Sequence, residues 1–367
     1  MVRMRAMTPE QEVQFSELDL EIQPFSSYAL IIDARTPREY NEDHVPGAKN
    51  LPVVYQEDFA TVGILHKQDT HQAYLIGIAA ALRTISGHIS EHLSSYKPND
   101  HMLVYCFRGG KRSKLWADTL RTIGFRVDVI SGGWKSYRRW VNAGLDVVSK
   151  NLEFRVLAGS TGTGKTRLLA ALEAEGEQVL DLEALASHRG STIGAIPGVP
   201  QPAQKMFDSL LFDKLRTFRT DRYVWVESES RKIGRIQLPP ALHDAMHHSP
   251  VYLLDAPIEE RVRLWREDYG HFEHDLNGML DKMRSVVEIV GSKLFARWRE
   301  LATEGNAPEL FRSMIVDYYD RLYKSSLNKN YRHLKQATPV ALTSLSMTDL
   351  RSTARLIISD MRKPPVY

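Results

Sequence analysis

Short apolar runs alternate with longer periodic stretches in the first part of the chain, from about residue 10 onward. The short runs favour β-strands, whereas the longer stretches repeat apolar residues at helical spacing. The strand candidates are YALIIDA (28–34), HMLVYC (101–106) and FRVDVI (125–130), and the helix candidates are the stretches 72–93 and 112–124. Strands that alternate with helices are typical of a parallel sheet with helices on its faces. The pattern therefore predicts an α/β domain over residues 1–145.

A second pattern of the same kind begins at residue 152, where a strand, a glycine-rich turn and a helix follow one another. Further strand candidates are QVLDL (178–182), RYVWVE (222–227) and VYLLDA (251–256), and periodic charged helices fill much of 258–305. The sequence predicts a second α/β domain with a helical C-terminal part over residues 146–367. The junction between the two domains is expected within residues 141–151.

The composition is that of a soluble globular chain, with 43% hydrophobic residues, 25% charged residues and a net charge of +3. No apolar run approaches the roughly 20 residues that span a membrane. The start of the chain lacks the apolar segment of a secretory signal. A single cysteine excludes a disulfide framework and a thiolate zinc cage. We therefore expect a cytoplasmic protein with no membrane partner and no metal site, because His271 and His274 have no third ligand nearby.

The single cysteine, Cys106, follows an apolar run in the stretch VYCFRGGKRS (104–113). Backbone N–H groups at the start of a helix point at an anion on the sulfur, and nearby cations favour the thiolate over the thiol. Paired glycines allow several amides to converge on one anion. The stretch therefore predicts a nucleophilic thiolate that accepts a group from an anionic donor. The residues expected to form this site are Cys106, Arg108, Gly109, Gly110, Lys111 and Arg112.

The stretch GSTGTGKT (159–166) matches the phosphate-binding pattern G-x-x-x-x-G-K-[ST], between a strand and a helix. Its backbone amides are expected to hold a diphosphate, with Lys165 as a point charge and Thr166 as a hydroxyl ligand for Mg²⁺. An ordinary NTPase places an aspartate at the end of a second apolar strand, but YVWVESES ends in Glu227 and Glu229. The ligand is therefore open between a nucleotide and another diphosphate. The predicted diphosphate-binding residues are Gly159, Ser160, Thr161, Gly162, Thr163, Gly164, Lys165 and Thr166.

The first domain resembles the rhodanese-like domains, which carry sulfur on a cysteine as a persulfide. The resemblance rests on DARTPREYNEDHVPGAKNLPV (33–53) and on VISGGWKSY (129–137). In this fold Asp33 and Arg35 are expected to pin a loop. Cys106 and Arg112 are separated by five residues, one more than in many rhodaneses, and the related dual-specificity phosphatases use such a wider loop to receive phosphoryl. The first domain alone thus leaves both sulfur or selenium transfer and phosphate ester hydrolysis open.

The order of the two domains resembles that of the bacterial tRNA 2-selenouridine synthases. The stretches LEALASHRGSTIG (182–194), QPAQKMFDSLL (201–211), VESESRKIGRIQLP (226–239) and DYYDRLYKSS (317–326) also look like segments of that family. The resemblance implies a rhodanese-like parallel-sheet domain followed by a P-loop NTPase-like α/β domain.

The same resemblance implies a reaction on the wobble uridine of tRNA, in which 2-thiouridine is S-geranylated from geranyl diphosphate and then converted to 2-selenouridine by selenophosphate. It makes tRNA, geranyl diphosphate and selenophosphate the expected partners and implies no tightly bound cofactor. The Cys106 thiolate is expected to attack selenium, to carry it as a perselenide and to release phosphate.

Three further groups are candidates for contacts with diphosphate or tRNA. His188, Arg189 and Ser191 lie in the HRGS stretch, Arg231 and Arg235 lie in a basic cluster, and 323–335 mixes cations with tyrosines as RNA-binding segments do.

Other readings of the two motifs stay open at this point. They are a rhodanese-type sulfurtransferase fused to an ATPase, a phosphatase with a nucleotide-binding module, and a non-catalytic RNA or nucleotide sensor.

Overall fold

A computed structural model of the protein describes residues 17–323, 325, 331 and 334–362. These residues form two compact units. The first holds residues up to Val147 together with Pro202–Arg216, and the second holds Val148–Gln201 together with Thr217 onward. Among the described helices, none is long and apolar enough to cross a bilayer.

The strands and helices follow the predicted alternation. The strands are β1 Leu30–Asp33, β2 Lys49–Asn50, β3 His101–Tyr105, β4 Arg126–Val129, β5 Phe154–Ala158, β6 Gln178–Leu180, β7 Val224–Glu227, β8 Lys232–Ile233, β9 Ile236–Gln237, β10 Val251–Asp255 and β11 Thr338–Ala341. The helices are α1 Pro37–Glu42, α2 Gln56–Leu65, α3 Thr70–His92, α4 Lys111–Ile123, α5 Gly133–Asn151, α6 Lys165–Ala174, α7 Leu182–Ala186, α8 Gln204–Leu215, α9 Pro240–His247, α10 Ile258–Tyr269, α11 Leu276–Lys282, α12 Val287–Val290, α13 Ser292–Thr303, α14 Ala307–Ser313 and α15 Met347–Arg362. Shorter helical turns lie at Glu17–Leu20, Phe25–Ser27, Gly270–Phe272, Arg284–Val286 and Leu334–Gln336, and a π-helical turn at Met314–Tyr319.

The first unit is built on a parallel sheet with the strand order β2-β1-β3-β4. Its central strands are apolar on both faces because helices cover both sides, so Ile32 and Val104 are fully buried. Trp116 and Leu120 of α4 are buried against this sheet. The register places Asp33 opposite Tyr105. The carboxyl ends of β1 and β3 therefore meet at one edge, where Cys106 follows β3.

The second unit is built on a parallel sheet with the order β11-β10-β5-β7-β6. The glycine-rich turn follows the central strand β5, and α6 packs with α15 through an apolar cluster that includes Leu168 and Leu350. The helices after β10 enclose a core of their own around Trp265, Trp298 and Phe311. The predicted fold class, a parallel-sheet domain followed by a P-loop-like domain with a helical C-terminal region, is confirmed.

The path of the chain differs in one respect from the sequence-based division at residue 145. Helix α5 runs through the expected junction, and the segment Pro202–Arg216 belongs to the first unit. The ring of Phe212 meets that of Trp140 edge-on at 4.7 Å, and the Ser209 hydroxyl donates to the Asp43 carboxylate at 2.7 Å. The position of α8 in the sequence does not show that it packs on the core of the first unit.

Candidate active sites

Cys106 lies at the point where β3 ends and the turn into α4 begins. Its side chain is 3% exposed, and its Sγ lies 3.2 Å from the hydroxyl of Ser113. Burial raises the pKa of the thiol, but hydrogen bonds from Ser113 and from the backbone at Arg108, together with the charge of Arg112, lower it below its ordinary value. The site therefore favours the thiolate that the sequence predicted.

The shape of this turn depends on Gly132 and Gly133, two glycines outside the predicted site. Gly133 has a φ of +62° and lies so close that a Cβ would stand 2.2 Å from the Cys106 carbonyl oxygen. The next residue, Trp134, donates its backbone N–H to the same oxygen at 2.8 Å. Gly109 also has a positive φ, +67°, and faces the backbone at Gly132. The signal for these contacts was the GGW pattern in the rhodanese-like stretch, which had been used only for family resemblance.

The cations of the turn differ in their surroundings. Arg112 donates to the Glu39 carboxylate at 2.8 Å, and although burial raises the pKa of Glu39, Arg112 lowers it overall. Lys111 places its Nζ 3.5 Å from the centre of the Tyr74 ring. Arg108 is exposed. Part of the Arg112 charge is thus compensated by Glu39, while Arg108 and Lys111 supply positive charge at the surface of the turn.

Asp33 and Arg35 form a buried ion pair that fixes a loop, as expected from the sequence. The buried guanidinium of Arg35 pairs with the Asp33 carboxylate at 2.6 Å and donates to the Asp43 carbonyl oxygen at 2.5 Å. The Tyr105 hydroxyl donates to Asp33 at 2.7 Å. These bonds fix the loop after β1 against the end of β3.

The phosphate-binding stretch forms the predicted turn between β5 and α6. Gly162 and Gly164 both have a positive φ, +78° and +80°, which a residue with a Cβ rarely adopts. Lys165 donates to the Gly159 carbonyl at 2.8 Å. The Gly159 N–H donates to the hydroxyl of Tyr323 at 2.6 Å, so this tyrosine stands at the mouth of the turn. The remaining predicted residues, Ser160, Thr161, Thr163 and Thr166, lie in the same turn or in the first turn of α6.

Arg261, which the sequence did not predict as a site residue, binds the backbone of the phosphate-binding turn. This buried side chain donates to the Thr161 carbonyl at 2.8 and 2.9 Å and pairs with Asp320 at 2.5 Å. Removal of one partner of a buried ion pair destabilises the fold, because the other partner remains as an unpaired buried charge. The available signal was its helical spacing, since it lies three and four residues before the buried Leu264 and Trp265.

Carboxylates surround the Thr166 hydroxyl. The hydroxyl lies 3.2 Å from Glu227 and 3.4 Å from Glu183. Burial and mutual repulsion raise the pKa of Glu183 to about 8 and that of Glu229 to about 8, and they also raise the pKa of Glu227 well above its ordinary value. Asp181, an alternative carboxylate, instead caps α7 by accepting from the Ala184 N–H at 2.8 Å. Hydroxyl and carboxylate oxygens are the ligands that Mg²⁺ prefers, so the donor set fits this ion.

A cavity of about 600 Å³ opens from the phosphate-binding turn. Lys165, Thr166, Glu183 and Glu229 are among the polar residues that line it. Six aromatic side chains also line the cavity, namely Trp265, Tyr269, Tyr318, Tyr319, Tyr323 and Tyr331. The centre of the Tyr323 ring lies 5.5 Å from the Lys165 Nζ. We refer to these six side chains as the aromatic wall.

The HRGS stretch lies on this cavity. Ser191 lies 2.8 Å from the Tyr269 hydroxyl, and the Arg189 guanidinium lies 5.3 Å from the centre of the same ring. His188 is 7% exposed, and its Nδ1 has no hydrogen-bond partner within the described part of the chain. Burial lowers the pKa of His188, so the neutral imidazole is favoured.

The second basic group is separate from the cavity lining. Arg231 and Arg235 lie exposed on the hairpin of β8 and β9, where Ile233 and Ile236 are buried. Of the basic and aromatic segment 323–335, Tyr323 and Tyr331 line the cavity, whereas 324, 326–330 and 332–333 lie outside the described residues.

Comparisons with known proteins agree with this arrangement. A rhodanese-like domain model matches residues 20–139, and a model described as the tRNA 2-selenouridine synthase AAA domain matches residues 152–289. Proteins named tRNA 2-selenouridine synthase from Nitrosomonas europaea, Marinobacter nauticus and Alcanivorax borkumensis are 36%, 32% and 32% identical to this chain.

The extent of these matches differs. The alignment with the Nitrosomonas europaea relative covers 65% of this chain and 63% of that protein. The alignments with the Marinobacter nauticus and Alcanivorax borkumensis relatives cover 85% and 82% of this chain, and 79% and 90% of those proteins. The cysteine turn and the phosphate-binding turn thus occur together in a chain that belongs to the tRNA 2-selenouridine synthase family.

Proposed function

We propose that the protein converts 2-thiouridine at the wobble position of tRNA to 2-selenouridine in the cytoplasm. The names of the relatives indicate tRNA as the acceptor and 2-selenouridine as the product. The family resemblance supplies geranyl diphosphate and selenophosphate as the donors.

The observation that carries the proposal is the position of the aromatic wall beside the phosphate-binding turn. A prenyl diphosphate needs both surfaces, because its diphosphate requires N–H groups and cations while its hydrocarbon chain requires an apolar wall. Aromatic faces also attract the positive charge that develops on an allylic carbon as diphosphate leaves. A nucleobase also stacks on aromatic faces, so the choice of a prenyl diphosphate rests on the allylic charge and on the family resemblance. We therefore assign the turn Gly159–Thr166 to geranyl diphosphate.

In the first step, the sulfur of 2-thiouridine attacks C1 of the geranyl group, and the C–O bond breaks with its electron pair on diphosphate. Lys165 and the backbone amides of the turn stabilise the charge that accumulates on the leaving group. Thr166 and Glu227 are the residues that would hold a Mg²⁺ ion, which supplies further positive charge to the diphosphate. His188 and Arg189, which lie on the cavity, are placed to contact the diphosphate or the acceptor.

In the second step, the selenium of selenophosphate attacks C2 of the uracil ring, and geranylthiol leaves with the C–S electron pair. The Cys106 thiolate then attacks phosphorus, and the P–Se bond breaks with its electron pair on selenium to give 2-selenouridine. Water hydrolyses the phosphocysteine to phosphate. The loop Cys106–Arg112 supports this role because its spacing resembles that of the phosphatase cradle.

This assignment revises the expected perselenide on Cys106. Transfer of selenium to the thiolate leaves the P–Se electron pair on phosphorus, and the phosphorus product is then phosphite. A perselenide formed together with phosphate does not balance in electrons. A perselenide formed together with phosphite is the alternative that product analysis distinguishes.

The test uses the full chain and a tRNA that carries 2-thiouridine. Incubation with geranyl diphosphate should convert 2-thiouridine to a more hydrophobic nucleoside, and later addition of selenophosphate should convert that nucleoside to 2-selenouridine. Nucleoside mass spectrometry follows both changes, and unmodified uridine-containing tRNA is the matched control. Failure of both conversions together with rapid hydrolysis of ATP would favour the sulfurtransferase–ATPase reading instead.

A further inference from the structure

Three polar side chains on α3 lie outside both sites described above. His88, Glu91 and His92 are three and four residues apart, so they project from the same side of the helix. One ligand atom from each lies within 4.8 Å of the others. Within the described residues, no other group of three or more His, Cys, Asp or Glu side chains has this geometry.

His88 carries the strongest sign of a missing ligand. The residue is 7% exposed, yet its Nε2 is buried and has no hydrogen-bond partner in the described part of the chain. A buried polar atom without a partner destabilises the fold, and His88 Nε2 is one of eight such side-chain atoms within the described residues. The His88 ring therefore contributes both this unpartnered Nε2 and a ligand atom near Glu91 and His92.

The two ring nitrogens of His88 differ in their surroundings. The Pro52 backbone acts on the ring through a hydrogen bond. Nε2 is among the buried side-chain atoms without a partner in the described part of the chain, whereas Nδ1 is not. A neutral imidazole that donates Nδ1–H to a backbone carbonyl presents a lone pair on Nε2. Histidine ligands of metals are held in the same way in metalloproteins.

The remaining two side chains are free to adjust to an ion. The side chain of His92 is 29% exposed and that of Glu91 is 70% exposed, and their nearest N and O atoms are 3.7 Å apart. The rings of His88 and His92 are stacked with centroids 5.8 Å apart. The His88 ring is buried and fixed by its packing, so coordination requires the His92 and Glu91 side chains to rotate toward it.

We propose that His88, Glu91 and His92 form a binding site for a divalent metal ion of the zinc class. Two imidazole nitrogens and one carboxylate are a donor set that Zn²⁺ takes, with a fourth position left for water. The ion would tie α3 to the loop at Pro52 through His88. His88 also stacks on Trp116 with centroids 6.2 Å apart, so the ion stabilises the core of the first unit. The prediction of no metal site rested on His271 and His274, whereas the sequence signal for this site is the H-x-x-E-H spacing of 88–92.

The experiment titrates the chelator-treated full chain with Co²⁺, followed by displacement with Zn²⁺. The expected result is one visible d–d absorption band that saturates at one ion per chain. The variants H92N and E91Q change exposed side chains and so preserve the fold, and we expect H92N to weaken binding by about tenfold or more. Zn²⁺ should raise the unfolding temperature of the original chain and should have little effect on H92N.

A second histidine pair provides the matched control. His243 and His247 have the same four-residue spacing, with ring centroids 3.8 Å apart, but they lack a third ligand in the described structure. H243N should leave the Co²⁺ band and its affinity unchanged. Retention of tight binding by H92N and by the double variant H88N/H92N would overturn the proposal, and so would loss of the band in H243N. A near-ultraviolet thiolate band would place the ion on Cys106 and would also overturn it.

Discussion

The Thr166 hydroxyl lies 3.2 Å from a carboxylate oxygen of Glu227, the buried residue that ends β7. In P-loop proteins a carboxylate at this place supports the cation beside the phosphates. The sequence suggested a weak cation site because it offered glutamate in place of aspartate. The structure shows that the longer side chain reaches the hydroxyl.

The carboxylates around Thr166 should make the stability of the protein depend on pH. Burial raises the pKa of Glu229 to about 8 from an ordinary value of 4.5, so the folded chain keeps a proton that the unfolded chain has lost. The resulting stabilisation is present at low pH and disappears as the pH rises through about 8. We expect the free energy of unfolding, measured with urea and without divalent ions, to fall between about pH 5 and about pH 8 and to level off above that range.

The variant E229Q should reduce this dependence, since the amide does not titrate. A variant of the exposed Glu304, E304Q, is the control and should retain the original slope. If the original chain, E229Q and E304Q showed the same pH dependence of the free energy of unfolding, Glu229 would have an ordinary carboxylate pKa.

Lys165 should be required for geranylation. Its Nζ stands at the Gly159 carbonyl beside the turn, where it can move onto a bound diphosphate. Loss of one such charge commonly lowers a rate by about 10²–10³-fold. We expect K165A to reduce formation of S-geranyl-2-thiouridine to this extent in a nucleoside mass-spectrometry assay. The exposed Lys293 provides the comparison, and K293A should geranylate at the original rate.

Sequence reasoning located both turns because each depends on local chemistry. Cys106 and Lys165 lie within short stretches whose glycines, cations and flanking strands are contiguous in the chain. The contacts that support these turns are not contiguous. Gly133 approaches Cys106 from a later helix, Arg261 reaches Thr161 from about a hundred residues away, and α8 packs on the unit that precedes its own sequence neighbours. Packing of this kind depends on tertiary structure, which hydrophobic periodicity does not encode.

Cys106 should be required for the second conversion and dispensable for the first. We expect C106S to form S-geranyl-2-thiouridine normally and to lose 2-selenouridine formation by roughly a thousandfold, because a serine hydroxyl does not ionise at neutral pH. Intact mass spectrometry of the original protein, incubated with S-geranylated tRNA and selenophosphate, identifies the adduct. The isotope pattern of selenium separates a perselenide from a phosphocysteine of nearly equal mass. Loss of geranylation in C106S would contradict the division of the two steps between the two sites.

Substitution of Gly133, which contacts the cysteine turn, should destabilise the fold. Its φ of +62° is strained for any residue with a Cβ, and that Cβ would stand 2.2 Å from the Cys106 carbonyl and 2.5 Å from the Gly109 nitrogen. Both neighbours are backbone atoms that cannot rotate away, so we expect G133A to lower the free energy of unfolding by about 3 kcal/mol or more. Gly87, in the interior of α3, has open space at the same position, and G87A should be neutral or stabilising by up to about 1 kcal/mol. Urea unfolding of G133A and G87A tests this prediction. Equal free energies of unfolding would mean that the cysteine turn can move away from the start of α5 without loss of stability.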